Sequence, residues 1–123
     1  MNIEIRKLDG EFSICKIDNV EQVDFSREFV FLSKTDDEIS LVCESDYIPS
    51  YVISSETAWR GLKIFGKLNF DMIGVIAKIT NILAKAEISV FVVSTYDTDY
   101  FFISDENFNA GVRTLADNGY VIS

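Results

Sequence analysis

Asp71 and Asp99 are the carboxylates whose pairing suggests acid–base chemistry, and they would have to act unaided because the sequence contains no histidine. That absence removes Ser–His–Asp and Cys–His nucleophiles, histidine general bases and histidine metal ligands. A paired-carboxylate reaction is the one route left, and nothing in the spacing of Asp71 and Asp99 demands it. Cys15 and Cys43 are the only cysteines, each inside an apolar stretch: Ser13-Ile14-Cys15-Lys16-Ile17 and Leu41-Val42-Cys43-Glu44. Two cysteines at that separation do not make a metal site. They read as buried small hydrophobes. The residue types therefore point away from catalysis and require neither a metal nor another cofactor.

The bulk properties narrow the partners. The formal charge is −9, with the eleven basic residues scattered along the chain. A phosphate backbone calls for clustered Lys and Arg, so the charge argues against a nucleic-acid partner and none is expected. The acidity serves solubility or favours a cationic ligand. The 123 residues suit one compact domain or two very small subdomains sharing a core, and 48% hydrophobic content argues against disorder. No apolar run approaches the roughly 20 residues needed to cross a bilayer. The longest, Met72 to Ala86, is broken by Lys78, Thr80, Asn81 and Lys85. Met1 to Arg6 lacks the apolar segment of a signal peptide. The expectation is a cytoplasmic protein with no membrane partner.

The elements that must carry these residues fall into two stretches, 1–58 and 59–123. The first is strand-rich and turn-rich. Ile3 to Leu8 alternates and meets Asp9-Gly10, a turn signal. Phe12 to Ile17 places Ser13, Cys15 and Ile17 on one face. Phe29 to Leu32 and Ile39 to Cys43 read as further strands around Thr35–Glu38, either an open turn or the first turn of a helix. Asn19 to Phe25 suggests a short helix. Ser54 to Trp59 is ambiguous, with a helical turn capped by Ser54 or Ser55 as one reading, and Glu56 and Arg60 lie four apart, the spacing of a helical ion pair.

The second stretch is clearer. Gly61 to Leu68 predicts a strand with Leu62, Ile64 and Gly66 on one face, and Asn69-Phe70-Asp71 a loop that can cap a helix. Met72 to Glu87 has helical apolar spacing through Ile76, Ile79, Ile82, Leu83 and Ala86. Ile88 to Ser94 predicts a central strand, Thr95 to Thr98 a break, and Asp99 to Ile103 its hairpin partner. Glu106 to Asn118 predicts a second helix, stopped by Asn118-Gly119, and Tyr120 to Ile122 a last strand. The order is β-α-β-β-α-β, the ferredoxin-like arrangement of an α+β fold, preceded by a smaller strand-rich subdomain.

At these residues the chain resembles the ACT domain family. Asn69-Phe70-Asp71, Gly74-Val75-Ile76-Ala77, Ile79, Leu83-Ala84, Ala86 and then Ile88-Ser89 follow its pattern. With Trp59-Arg60, the run Ser94 to Tyr100 is similar to the ACT subfamily of small bacterial tandem-ACT proteins and of the CASTOR arginine sensors of animals. On that resemblance the first subdomain would itself be ACT-like. The resemblance implies binding of a small molecule, usually an amino acid, between ACT units. Carried over residue by residue, Asn69, Phe70, Asp71, Met72 and Gly74 would form one wall and Thr95, Tyr96 and Asp99 the other. The physical logic agrees. A helix N-terminus suits a carboxylate, and Asp99 suits an ammonium or guanidinium.

Where the arginine sensors carry Gly-Phe-Asp-Glu, this chain has Asn69-Phe70-Asp71-Met72, so the acidic residue facing a cationic side chain is gone and a neutral amino acid fits as well. The expectation is a regulatory amino-acid-binding protein, not an enzyme, working as a homodimer or with a partner protein. The alternative is an interaction module whose ACT sheet mediates oligomerisation or partner binding without a ligand.

Overall fold

The computed structural model describes residues 3–65 and 74–123. Their elements run β1 (Glu4–Lys7), β2 (Phe12–Ile17), β3 (Val30–Lys34), β4 (Ile39–Glu44), β5 (Ser54–Ile64), α1 (Val75–Lys85), β6 (Phe91–Ser94), β7 (Asp99–Ser104), α2 (Asp105–Asp117) and β8 (Val121–Ile122), with single 3-10 turns at Val20–Gln22 and Ser45–Tyr47. This is a mixed α+β fold. The chain divides into one unit of Gly10–Trp59 and another of Met1–Asp9 with Arg60–Ser123.

In the Gly10–Trp59 unit, β4 lies between β3 and β2, and β2 pairs with the first residues of β5, all antiparallel. The alternation of β2 decides which face is filled. Cys15 and Ile17 pack with Leu41 and Cys43, and Val23, Val30, Leu32, Ile39, Ile48 and Val52 close around them. The segment Ser54 to Trp59 is strand, not a helical turn. Pairing with β2 overrides its polar composition, and the register shifts between Phe12 and Ile14, opposite Ala58 at φ 63°. That is a bulge, one extra residue on β5. The expected Glu56–Arg60 pair goes with the helical turn: Arg60 instead meets Asp105 at 3.4 Å. The short helix expected over Asn19 to Phe25 shrinks to one 3-10 turn, with the Asn19 side chain accepting from the Glu21 amide at 2.9 Å.

In the other unit, β7 pairs with β5 and β6, β5 also pairs with β1, and β1 pairs with β8. The β1–β5 ladder is antiparallel, with Ile5 opposite Ile64; the β1–β8 ladder is parallel, with Ile5 opposite Ile122. A boundary at residue 58 would leave Met1–Asp9 with the first subdomain. The structure sends these residues into the second unit, because Ile5 completes a row of buried residues there and is itself wholly buried. The two helices cover that face: Ile79 and Leu83 of α1 and Phe108 and Leu115 of α2 meet Ile5, Leu62, Ile64, Phe101 and Ile103. These are the residues the 3.6-residue period assigns to the inward faces.

Two details differ from the sequence reading. The strand expected over Ile88 to Ser94 is shorter, Phe91–Ser94, and pairs with β7 alone among the described residues. It is an edge, which leaves Val92 37% exposed. Ile88 belongs instead to the end of α1. Its amide donates to the Leu83 carbonyl at 2.9 Å and the Glu87 amide to that of Ala84 at 2.9 Å. This is a Schellman cap in which Glu87, at φ 61°, stands where glycine is usual.

Candidate functional site

The turn between β6 and β7 is built by its own threonines. The Thr95 amide donates to the Thr98 carbonyl at 2.8 Å and the Thr95 hydroxyl to the same oxygen at 3.1 Å. The Thr98 amide returns to the Thr95 hydroxyl oxygen at 3.4 Å. Thr98 is itself buried, and its hydroxyl donates to the Ile64 carbonyl at 2.8 Å. That bond fastens the turn to the last residue of β5, from which the chain leads into residues 66–73 and Gly74. Three more constraints orient this end. Ser94 and Asp99 form the closing cross-strand pair, and the Ser94 hydroxyl donates to the Asp99 carboxylate. By strand alternation Asp99 shares its face with Phe101 and Ile103, the face the helices cover. Gly61, farther back on β5, approaches Phe102 so closely that a methyl group there would lie 3.0 Å from its ring and 2.8 Å from Leu8.

Gly74 is the N-cap of α1 and adopts φ 82°, ψ 9°. Among the described residues an added methyl group would meet nothing within 4 Å, and the positive φ by itself calls for glycine there. Among the described residues no side chain caps α1, and its first turn carries no acidic residue. The amides of that turn thus carry the partial positive charge of a helix N-terminus.

The sequence-predicted site residues divide accordingly. Asn69, Phe70, Asp71 and Met72 lie outside the described residues. Gly74 stands at the start of α1; Thr95 and Asp99 stand in the Thr98-anchored turn and its closing pair. Tyr96 is 78% exposed at the tip of that turn. In the sequence Thr98 reads as one more turn residue; only its burial and its bond to β5 mark it out.

The remaining polar chemistry is quiet. Burial, helped by neighbouring Cys15 and Glu44, pushes the Cys43 thiol up to about 12, and burial raises that of Cys15 as well. Neither thiol is poised as a nucleophile. Among the described residues no three His, Cys, Asp or Glu groups gather as a metal site. Grooves flank α1, one lined by Thr80, Ala84 and Ser89 and another by Lys78, Ile82 and Tyr120; none of Thr95, Tyr96 or Asp99 lines either.

The sequence model of the ACT domain family matches residues 54–117. The chain belongs to the ACT domain family. A second family model, of an N-terminal domain, matches residues 10–51, close to the Gly10–Trp59 unit. The human cytosolic arginine sensor for mTORC1 subunit 1 is 33% identical over 63 residues, which is 50% of this chain and 19% of that protein. The ACT match therefore spans about a fifth of the curated relatives' length. A crystal structure of a protein from Agobacterium tumefaciens superposes with TM-score 0.88 at 28% identity, covering 100% of this chain and 93% of the other. The aspartate kinase of Clostridium acetobutylicum, described as an allosteric enzyme, shares the fold at TM-score 0.67 and 15% identity over 95% of this chain and 34% of its own. ACT membership supports a regulatory, ligand-binding role. No helix among the described residues is long and apolar enough to cross a membrane.

Proposed function

We propose that this ACT protein is a non-catalytic regulatory module that binds a free amino acid at the end of the sheet where β5 gives way to α1. The observation that carries the reading is the Thr98–Ile64 hydrogen bond at 2.8 Å. It ties the turn bearing Thr95 and Asp99 to the last residue of β5, beyond which the chain continues to Gly74 and α1; the contribution of Asn69, Phe70, Asp71 and Met72 rests on the ACT resemblance. The first-turn amides of α1 take the ligand's carboxylate, and the Asp99 carboxylate takes its ammonium. With Met72 in place of an acidic residue, a neutral side chain fits at least as well as a guanidinium. The arginine-sensing relative supports the amino-acid class without fixing its member. The site works within a homodimer or against a partner protein in the cytoplasm.

The test is a thermal-shift and calorimetry screen of the full chain against the common amino acids. At least one should raise Tm at millimolar concentration and bind saturably without turnover. Asp99→Ala should abolish that response while leaving the fold intact by circular dichroism. If no amino acid shifts Tm or gives a binding isotherm, the reading fails.

A further inference from the structure

Arg6 and Lys63 are direct cross-strand partners on β1 and β5. Like charges in that position repel. In a chain with twenty acidic residues to eleven basic ones, a carboxylate beside them would be the expected remedy. Among the described residues, neither cation lies within ion-pair distance of one; the salt bridges there belong to Arg27 and Arg60. Each cation rests on an aromatic ring instead, Arg6 at 4.0 Å from the Phe65 centroid and Lys63 at 5.7 Å from that of Tyr100. Aromatic faces hold a cation without neutralising it, so both charges remain available to an anion.

The surroundings say what kind of anion. Ile5, Leu62 and Ile64 face the helices. Alternation therefore puts Arg6, Lys63 and Phe65 on the opposite face, along with Glu4 and its partner Val121. Part of that face is buried, at Leu8, Gly61 and Phe102, but Phe65 is 43% and Val121 50% exposed. The surface is a sheet face and not a cleft, and it combines cations with exposed apolar side chains. Arg and Phe are among the residues enriched at protein interfaces. Two cations in a chain of net charge −9 do not make a track for a phosphate backbone.

We infer that the Arg6–Lys63 face of this unit is a docking surface for an acidic segment of a partner protein, whose carboxylates sit between the two cations while its apolar side chains cover Phe65 and Val121. The repulsion between Arg6 and Lys63 is then a cost to the free protein that binding relieves. This face is separate from the proposed amino-acid site, and the two readings stand or fall apart.

The experiment titrates the full chain with a fluorescein-labelled peptide of alternating glutamate and leucine, by anisotropy at low and high salt. Saturable binding that weakens with salt is expected. It should fall by about tenfold or more in Arg6→Gln and in Lys63→Glu, while the Tm of free Lys63→Glu stays level or rises because a like-charge pair becomes an opposite pair. Both variants should keep any amino-acid response. Four results would overturn the inference: no saturable binding by the native chain, equal binding by both variants, a lowered Tm in Lys63→Glu, or saturable, Lys63-dependent binding of succinate or inorganic phosphate alone, which would make the face a site for a free anion.

Discussion

Each unit buries one hydroxyl among the described residues, Ser13 in the Gly10–Trp59 unit and Thr98 in the other. Ser13 lies on the filled face of β2 and shares a hydrogen bond with the Ser45 hydroxyl at 2.8 Å, joining β2 to the turn after β4. Around it stand two protonated thiols and an aliphatic core. Thr98 makes an equivalent bond, to a backbone carbonyl, but what it fastens is an exposed turn beside a carboxylate, tied to the last residue of β5, and among the described residues no side chain caps the helix that follows that strand. The same local device sits inside a closed core in one region and holds the turn of the proposed site in the other. A buried polar group is thus informative less for its own bond than for what that bond holds in place.

The largest test of this contrast compares equivalent core deletions. Leu41→Ala and Leu83→Ala each remove a fully buried side chain and should each cost about 2–5 kcal/mol by chemical denaturation. Only Leu83→Ala, which loosens α1, should also weaken the amino-acid response. If Leu41→Ala weakens it equally, the division of labour is wrong. Thr98→Val comes next. It keeps the shape but leaves the Ile64 carbonyl without its donor, at a cost of about 1–3 kcal/mol, and should lower amino-acid affinity, whereas Thr98→Ser should retain both. The smallest effect concerns the thiols. The ordinary value of Cys43 is 9.0 and its folded value about 12. Between those pH values the native state keeps a proton that the unfolded chain releases. Its contribution to stability is therefore complete below about pH 9 and declines as pH rises towards 12, by no more than about 1.4 kcal/mol per pH unit. Urea melts across that range should show a shallower alkaline decline in Cys43→Ala.

Local pattern made much of this legible. Ile79 and Leu83 could be assigned to the inner face of α1 from spacing alone, and Ser13, Cys15 and Ile17 to one shared face of β2, though not which of its two faces is filled. What spacing could not show was pairing. Ser54-Ser55-Glu56-Thr57 lacks any apolar alternation, and only β2 alongside makes it strand. Phe91 to Ser94 is apolar on both faces, as a central strand is, yet has one neighbour among the described residues. Of the candidate site, Gly74, Thr95 and Asp99 were legible as candidates, through the ACT resemblance. Thr98 was not, since its role depends on Ile64, 34 positions earlier.

The placement of β1 has a consequence for how the protein is made and how it can be cut. A ribosome releases the Gly10–Trp59 unit as one contiguous stretch, able to collapse on local hairpin contacts while synthesis continues. The other unit must wait, because Glu4 finds its parallel neighbour only when Val121 has emerged. Such long-range closure is slow and leaves strand edges uncovered meanwhile. A fragment beginning at residue 59 would carry both helices and still lack the strand that joins β5 to β8. Severed there, the ACT half should be the aggregation-prone piece, and supplying residues 1–9 as a separate peptide should rescue it.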